Sequence, residues 1–208
     1  RAAGGLHGFF IVLAICLFGP FQAVAVADFR PVGLFLPGIV GIWAAAWKGS
    51  NRDLILWAAI AIAGRQEAAY LIASSGAALL FFSWGKATRT NAVLLLAIGI
   101  CTWGAFTALK PQMFFHINPL AIPEAPFSAE LWDRRLQFGL ALILSGWLMG
   151  LLQPAPLIAA LPILAGMLLT NREWHALTGP GAHHHAFWLP FVIAAGIVGS
   201  AKMSARWG

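Results

Sequence analysis

Long apolar runs, separated by short polar interruptions, follow one another along the whole sequence. Runs such as 93–108 and 136–152 contain no charged residue, and they lack the alternation of apolar and polar positions that marks a half-buried strand. Eight runs have a length typical of helices. We therefore predict an all-α fold with segments at residues 5–27, 31–47, 54–64, 68–84, 91–109, 136–152, 156–170 and 187–201.

The composition places these helices in a membrane. Hydrophobic residues make up 60% of the chain, charged residues make up 10%, and the mean hydropathy is +0.80, whereas soluble proteins carry roughly a quarter charged residues. We expect one polytopic transmembrane helical bundle over residues 1–208, with the lipid bilayer as its surroundings. Several segments, 54–64 above all, fall below the ~20 residues of a straight span, so some are expected to be short or broken.

The distribution of charge predicts the orientation of the bundle. Threading eight segments gives one strongly basic face, whose single acid is Asp53, and a second face that holds the other acids and all histidines except His7. The basic face carries Arg1, Lys48, Arg52, Lys86, Arg89, Lys202 and Arg206. Because short basic loops mark the cytoplasmic side, we place both termini in the cytoplasm of a bacterium and the chain in its inner membrane.

The net charge of +6 is therefore interpreted as a topology signal. A nucleic-acid-binding protein would concentrate its basic residues on a polar surface, and the sequence has no such surface. We expect no nucleic-acid partner. The partners that remain open at this point are the bilayer and other membrane subunits.

Two short polar stretches on the outer face contain candidate site residues. The turn "ADFRP" holds Asp28 and Arg30, and the interruption "GRQEA" holds Arg65 and Glu67. Ionisable groups at membrane depth are costly and usually face a cavity or a partner. If "GRQEA" is a break within the membrane, Glu67 is a buried carboxylate with Arg65 or Arg30 as its counter-ion. Otherwise it is a tight turn at headgroup level, and the Asp28 stretch can equally be a polar turn with a local ion pair.

Three consecutive histidines, His183, His184 and His185, follow a Gly-Pro-Gly turn near the last segment. Adjacent side chains point in different directions, so three in a row cannot all bind one ion from a regular element. Contact with a polar ligand and a role as titratable groups at the membrane interface both remain open. A loop could bring two of them to one ion, but we assign no metal site, and the sequence does not identify a cofactor.

Three stretches together resemble a known family. They are "ADFRPVGLFLPGIVGIWAAAW", "GRQEAAYLIASSGAALLFFSW" and "PAPLIAALPILAGMLLTNREWHALTGPGAHHHAFWLPFVIAA". In this order they are similar to the second half of a family of bacterial multi-pass membrane proteins of unknown function, grouped with the GT-C membrane glycosyltransferases. The family pattern has His where this chain has Arg30, and an acidic pair where it has Gln66 and Glu67. The resemblance implies the C-terminal part of a longer or split protein.

The resemblance also implies an activity, the transfer of a sugar from a polyprenyl-phosphate donor on the outer face. Asp28 or Glu67 would then serve as the catalytic base, with Arg30, Arg65 and Arg172 on the lipid phosphate and His183 to His185 on sugar or phosphate. A different class of function stays open: a non-catalytic membrane subunit that binds and stabilises a larger complex, since small residues such as Gly76, Gly99 and Gly104 suit close helix packing.

Overall fold

The described part of the chain forms six α-helices and contains no strand. The computed structural model describes residues 32–65, 67–109, 136, 140, 150–169 and 188–207. The helices are α1 (Val32–Lys48), α2 (Asn51–Gly64), α3 (Ala68–Phe81), α4 (Arg89–Leu109), α5 (Pro154–Leu169) and α6 (Leu189–Trp207). The prediction of an all-α fold is confirmed over these residues.

Each of the six helices coincides with a predicted segment, with differences at the ends. The predicted segment 31–47 agrees with α1 to one residue, whereas α2 begins three residues before the predicted 54 and α3 ends three residues before the predicted 84. Helix α6 continues past the predicted 201 to Trp207. The predicted segment 5–27 lies outside the described residues, and so does most of 136–152.

Helices α1 and α2 form an antiparallel hairpin around two glycines. Gly38 faces Ala61 and Gly41 faces the Trp57 indole so closely that a Cβ atom at either glycine would overlap its neighbour. Small residues let helix backbones approach in this way, especially where lipid surrounds the helices. The short connection bends at Gly49, whose φ of 73° favours glycine. The Ser50 hydroxyl then caps α2 by accepting from the Asp53 N–H at 3.3 Å.

Helices α3 and α4 repeat this arrangement. Gly76 lies against the backbone of Ala92 and Leu96, and Gly99 lies against Ala69 and Ala73, which makes the pair antiparallel. Two of the glycines predicted to suit close packing, Gly76 and Gly99, therefore pack against a helix of the same chain. The connection between the two helices also bends at a glycine with positive φ, Gly85 (53°).

The start of α4 is capped reciprocally. The Thr88 hydroxyl accepts from the Asn91 N–H at 3.3 Å, and the Asn91 side chain accepts from the Thr88 N–H at 2.8 Å. Two exchanged bonds of this kind satisfy backbone groups that the first turn of a helix leaves unpaired. The cap explains why α4 begins at Arg89, ahead of its first apolar residue.

The two hairpins are joined at one end of the bundle, which we call the basic end because it carries Lys48, Arg52, Lys86 and Arg89. The Trp84 indole N–H donates to the Trp43 carbonyl at 2.8 Å, and the Lys86 N–H donates to the Trp47 carbonyl at 2.9 Å. The Asn91 amide also donates to the Asn51 side chain. The structure thus gathers four of the residues assigned to the basic face.

Helices α5 and α6 close the other side of the bundle. The Ser74 hydroxyl of α3 donates to the Ala159 carbonyl of α5 at 2.7 Å. Phe191 of α6 packs edge-on against Trp43 of α1, with ring centroids 6.3 Å apart. Helix α6 therefore lies between α1 and α5, and the described core is built from all six helices.

Helix α4 is the one helix among the described residues that is long and apolar enough to cross a membrane. The helix has 21 residues, and its most apolar 18-residue stretch has a mean hydropathy of 2.1. Only 17% of that stretch is buried. At ~1.5 Å per residue its length is about 31 Å, close to the ~30 Å thickness of a hydrocarbon core. Four further helices are apolar but shorter.

Candidate functional site

Among the described residues, the connection between α2 and α3 carries two charged side chains, Arg65 and Glu67, at the end of the bundle opposite the basic end. Helix α2 ends at Gly64, and Arg65 is in an extended conformation with φ −159° and ψ 137°. The Arg65 N–H still donates to the Ala61 carbonyl, and its own carbonyl accepts from the Ala68 N–H. Glu67 precedes the first turn of α3. Three residues therefore pass the chain from one apolar helix directly to the next.

Arg65 and Glu67 form an ion pair across this connection. The Arg65 Nη1 donates to the Glu67 Oε1 at 3.4 Å, and the two side chains are 32% and 18% exposed. The second carboxylate oxygen, Oε2, is buried and has no hydrogen-bond partner among the described residues. A buried acceptor without a partner costs about 1–3 kcal/mol. The carboxylate therefore has one oxygen held by Arg65 and one still able to accept a proton or a ligand hydrogen bond.

The ion pair lies beside α4, short of the carboxyl-terminal end of that helix at Leu109. Gly99 of α4 packs between Ala69 and Ala73 of α3. Helix α3 runs antiparallel to α4, and Glu67 lies about one turn before the midpoint of these two alanines. Glu67 is therefore opposite about residue 103 of α4. Six residues of α4 extend beyond that level to Leu109, which at ~1.5 Å per residue is about 9 Å.

The register between α2 and α4 gives the same depth. Asn51 and Asn91 are hydrogen-bonded at the basic end, and Gly64 lies 13 residues further along α2, level with about residue 104 of α4. Trp103, which is 49% exposed, and Leu109, which is 79% exposed, show that the last turns of α4 stand clear of the other described helices. The charged connection is thus recessed within the length of α4.

Tyr70 is a site residue that the sequence analysis did not identify. It lies one turn into α3 from Glu67, is half-buried, and interacts electrostatically with both Glu67 and Arg65. Residues three apart on a helix lie on the same side of it, which places Tyr70 on the side of α3 that Glu67 also faces. This spacing alone does not distinguish a site residue from a core residue. The arrangement therefore offers a carboxylate, a guanidinium and a phenol within one recessed region.

Chemically, these groups are suited to an anionic or hydroxyl-bearing ligand. A carboxylate oxygen can accept the proton of a hydroxyl group in general-base catalysis. A guanidinium forms charge-assisted hydrogen bonds with phosphate oxygens. Among the described residues, no three His, Cys, Asp or Glu side chains come close enough together to hold a metal ion.

The other predicted site residues are Asp28, Arg30, Arg172, His183, His184 and His185, and all of them lie outside the described residues. Their convergence on Glu67 stays a prediction. The structure does place Arg65, one of the two counter-ions considered for Glu67, in contact with it. No protein-family model, no curated protein and no solved structure matches this chain.

Proposed function

We propose that the chain is a multi-pass integral membrane protein of the bacterial inner membrane, with the basic end in the cytoplasm. The support comes from α4, which is apolar but mostly unburied, and a core helix of a soluble protein would be covered by its neighbours. The gathering of Lys48, Arg52, Lys86 and Arg89 at one end is a second support, because short basic loops stay on the cytoplasmic side.

Cysteine labelling tests this orientation. In a chain whose Cys16 and Cys101 are changed to Ser, Lys86→Cys should react with a membrane-impermeant maleimide only after the inner membrane is opened. Carbonate at high pH should leave the chain in the membrane pellet. Extraction of the chain by carbonate would overturn the membrane proposal, and labelling of Lys86→Cys in intact spheroplasts would invert the orientation.

Within that membrane protein, the proposed activity is GT-C-like transfer of a sugar from a polyprenyl-phosphate donor on the outer face. The observation that carries it is the recessed Glu67 carboxylate, with one oxygen on Arg65 and the other buried without a partner among the described residues. Glu67 would accept the proton of the acceptor hydroxyl, and Arg65 would bind the lipid phosphate. Asp28, Arg30, Arg172 and His183 to His185 are proposed to complete the site.

The test is sugar transfer in membrane vesicles with polyprenyl-phosphate sugars as donors. Glu67→Gln keeps the size of the side chain but removes its basicity, and it should abolish transfer while the chain still inserts. Asp53→Asn, the same change at the basic end, is the matched control and should leave transfer intact. Full transfer by Glu67→Gln would remove Glu67 from the site.

A second function, a non-catalytic membrane subunit, is favoured by one specific observation. No described residue lies within 4 Å of the place where a Cβ atom on Gly104 of α4 would be, and Trp103 beside it is exposed. A partner helix could approach closely at such a position. Gly104→Leu should then release a partner from the native assembly, seen as a fall in its mass on native gels, while Ala105→Leu, an exposed alanine about 100° around the helix, serves as control. An unchanged mass would argue against this alternative.

A further inference from the structure

A cleft opens between α1 and α6 at the basic end. Its volume is about 290 Å³, near the lower end of the roughly 300–1,000 Å³ typical of small-molecule sites. The walls are apolar: Val40 and Ala44 come from α1, and Ala194, Ile197 and Val198 come from α6. The cleft and the connection that carries Arg65 and Glu67 lie at opposite ends of the bundle, and the cleft plays no part in the proposed sugar transfer.

The polar groups of the cleft are hydrogen-bond donors. Lys48, the last residue of α1, lines the cleft and is exposed, and none of the described residues that line it is acidic. Trp43 forms one wall, and its buried indole N–H has no acceptor among the described residues. The Trp84 indole N–H, in contrast, is already used on the Trp43 carbonyl. A ligand with an apolar tail and an anionic, oxygen-rich head complements this lining.

We propose that the cleft binds one anionic phospholipid from the leaflet at the basic end. Part of an acyl chain lies between Ala44 and Ile197, and the headgroup phosphate contacts the Lys48 ammonium. The other cations of the basic end, Arg52, Lys86 and Arg89, raise the local concentration of anionic lipid, and basic pockets between membrane helices bind such headgroups. An ester oxygen that reaches the Trp43 N–H would satisfy it. This site rests on the proposed membrane insertion and is independent of the proposed sugar transfer.

Native mass spectrometry of the purified full chain in detergent tests the site. With phosphatidylglycerol and phosphatidylcholine added at equal concentration, the chain should retain one phosphatidylglycerol molecule in preference. Ala44→Trp fills the cleft from an exposed position and should abolish that adduct. Ala97→Trp, the same change on the exposed face of α4, should leave it unchanged. Equal binding by the two variants would overturn the proposal.

The charge contribution is tested with a second pair of variants. Lys48→Ala should weaken phosphatidylglycerol binding about fivefold, the effect of one cation near an anionic headgroup, and should reduce the preference over phosphatidylcholine. Lys86→Ala, an exposed lysine of the same end that does not line the cleft, should change binding less than twofold. An unchanged preference in Lys48→Ala would overturn the assignment of the phosphate to Lys48.

The probe itself separates lipid from free anion. Glycerol phosphate, which lacks acyl chains, should fail to displace the bound phosphatidylglycerol at millimolar concentration. Displacement would mean that the apolar cleft is not part of the site. Loss of the lipid site in a chain that still resists carbonate extraction would leave the membrane proposal standing, so the two failures are distinguishable.

Discussion

The two ends of the bundle hold their charges in different ways. At the basic end Lys48, Arg52, Lys86 and Arg89 are exposed and form no ion pair among the described residues, while neutral groups such as Asn51 and Asn91 make the structural contacts. At the opposite end Arg65 and Glu67 are each partly buried and bind each other.

This difference follows from what surrounds each end. A cation that reaches water or lipid headgroups keeps its hydration and needs no partner from the chain, so neutral hydrogen bonds are free to join the helices. A charge recessed within the length of an apolar helix loses that hydration and must be paired. The charges of the basic end therefore act on the surroundings, whereas those of the recessed connection act on each other and on any ligand that enters.

The largest expected effect comes from breaking the neutral contacts of the basic end. Asn91 is 1% exposed and joins the cap of α4 to Asn51. Asn91→Ala removes both, and we expect a loss of about 2–3 kcal/mol in the free energy of unfolding. Unfolding in mixed micelles with increasing SDS measures it. Thr90→Ala, an exposed neighbour, should change stability by less than about 0.5 kcal/mol; equal losses would show that the amide contact is dispensable.

The next effect measures the pairing at the recessed connection. Glu67→Ala leaves Arg65 without this partner and should cost about 1–2 kcal/mol, an intermediate value because Arg65 is partly exposed. A double-mutant cycle with Arg65→Ala should give a coupling of about 1 kcal/mol. The same cycle on Arg52 and Asp53 at the basic end should give a coupling near zero. Similar coupling at both ends would remove the distinction between them.

The smallest effect concerns the cap of α2. Ser50→Ala removes the acceptor for the Asp53 N–H, and at this partly buried site we expect a loss of about 0.5–1 kcal/mol by the same micelle titration. Ser83→Ala, an exposed serine in the other connection of the basic end, is the matched control. A loss in Ser83→Ala as large as in Ser50→Ala would mean that the hydroxyl is not a cap.

The described helices could be predicted from the apolar runs, but several of their ends could not. Helix α2 begins at Asn51 because Ser50 caps it, and its polar first turn lies outside the apolar run. Trp84 is the last residue of the apolar run 68–84, but α3 already ends at Phe81. Trp84 lies in the loop that follows, where its indole packs against Trp43 with ring centroids 5.1 Å apart. Hydrophobicity reports burial, and a buried loop tryptophan gives the same signal as a helical one.

The site could be predicted in part for a similar reason. Charge between two apolar runs identified Arg65 and Glu67, and the alternative counter-ion Arg30 lies outside the described residues. The depth of the pair could not be read from α2 and α3 alone, because it depends on the extra length of α4 beside them. Tyr70 was missed because a tyrosine in an apolar run is indistinguishable from a core residue until its neighbours are known.

The hydrogen bond from the Ser74 hydroxyl of α3 to the Ala159 carbonyl of α5 bears on the order of folding. Each glycine-packed hairpin joins helices that are neighbours in sequence, so its contacts can form as soon as its second helix exists. Ser74 and Ala159 are separated by 85 residues, and contacts of long sequence separation form slowly because a large loop must close first. We therefore expect the two hairpins to form before α5 docks onto α3.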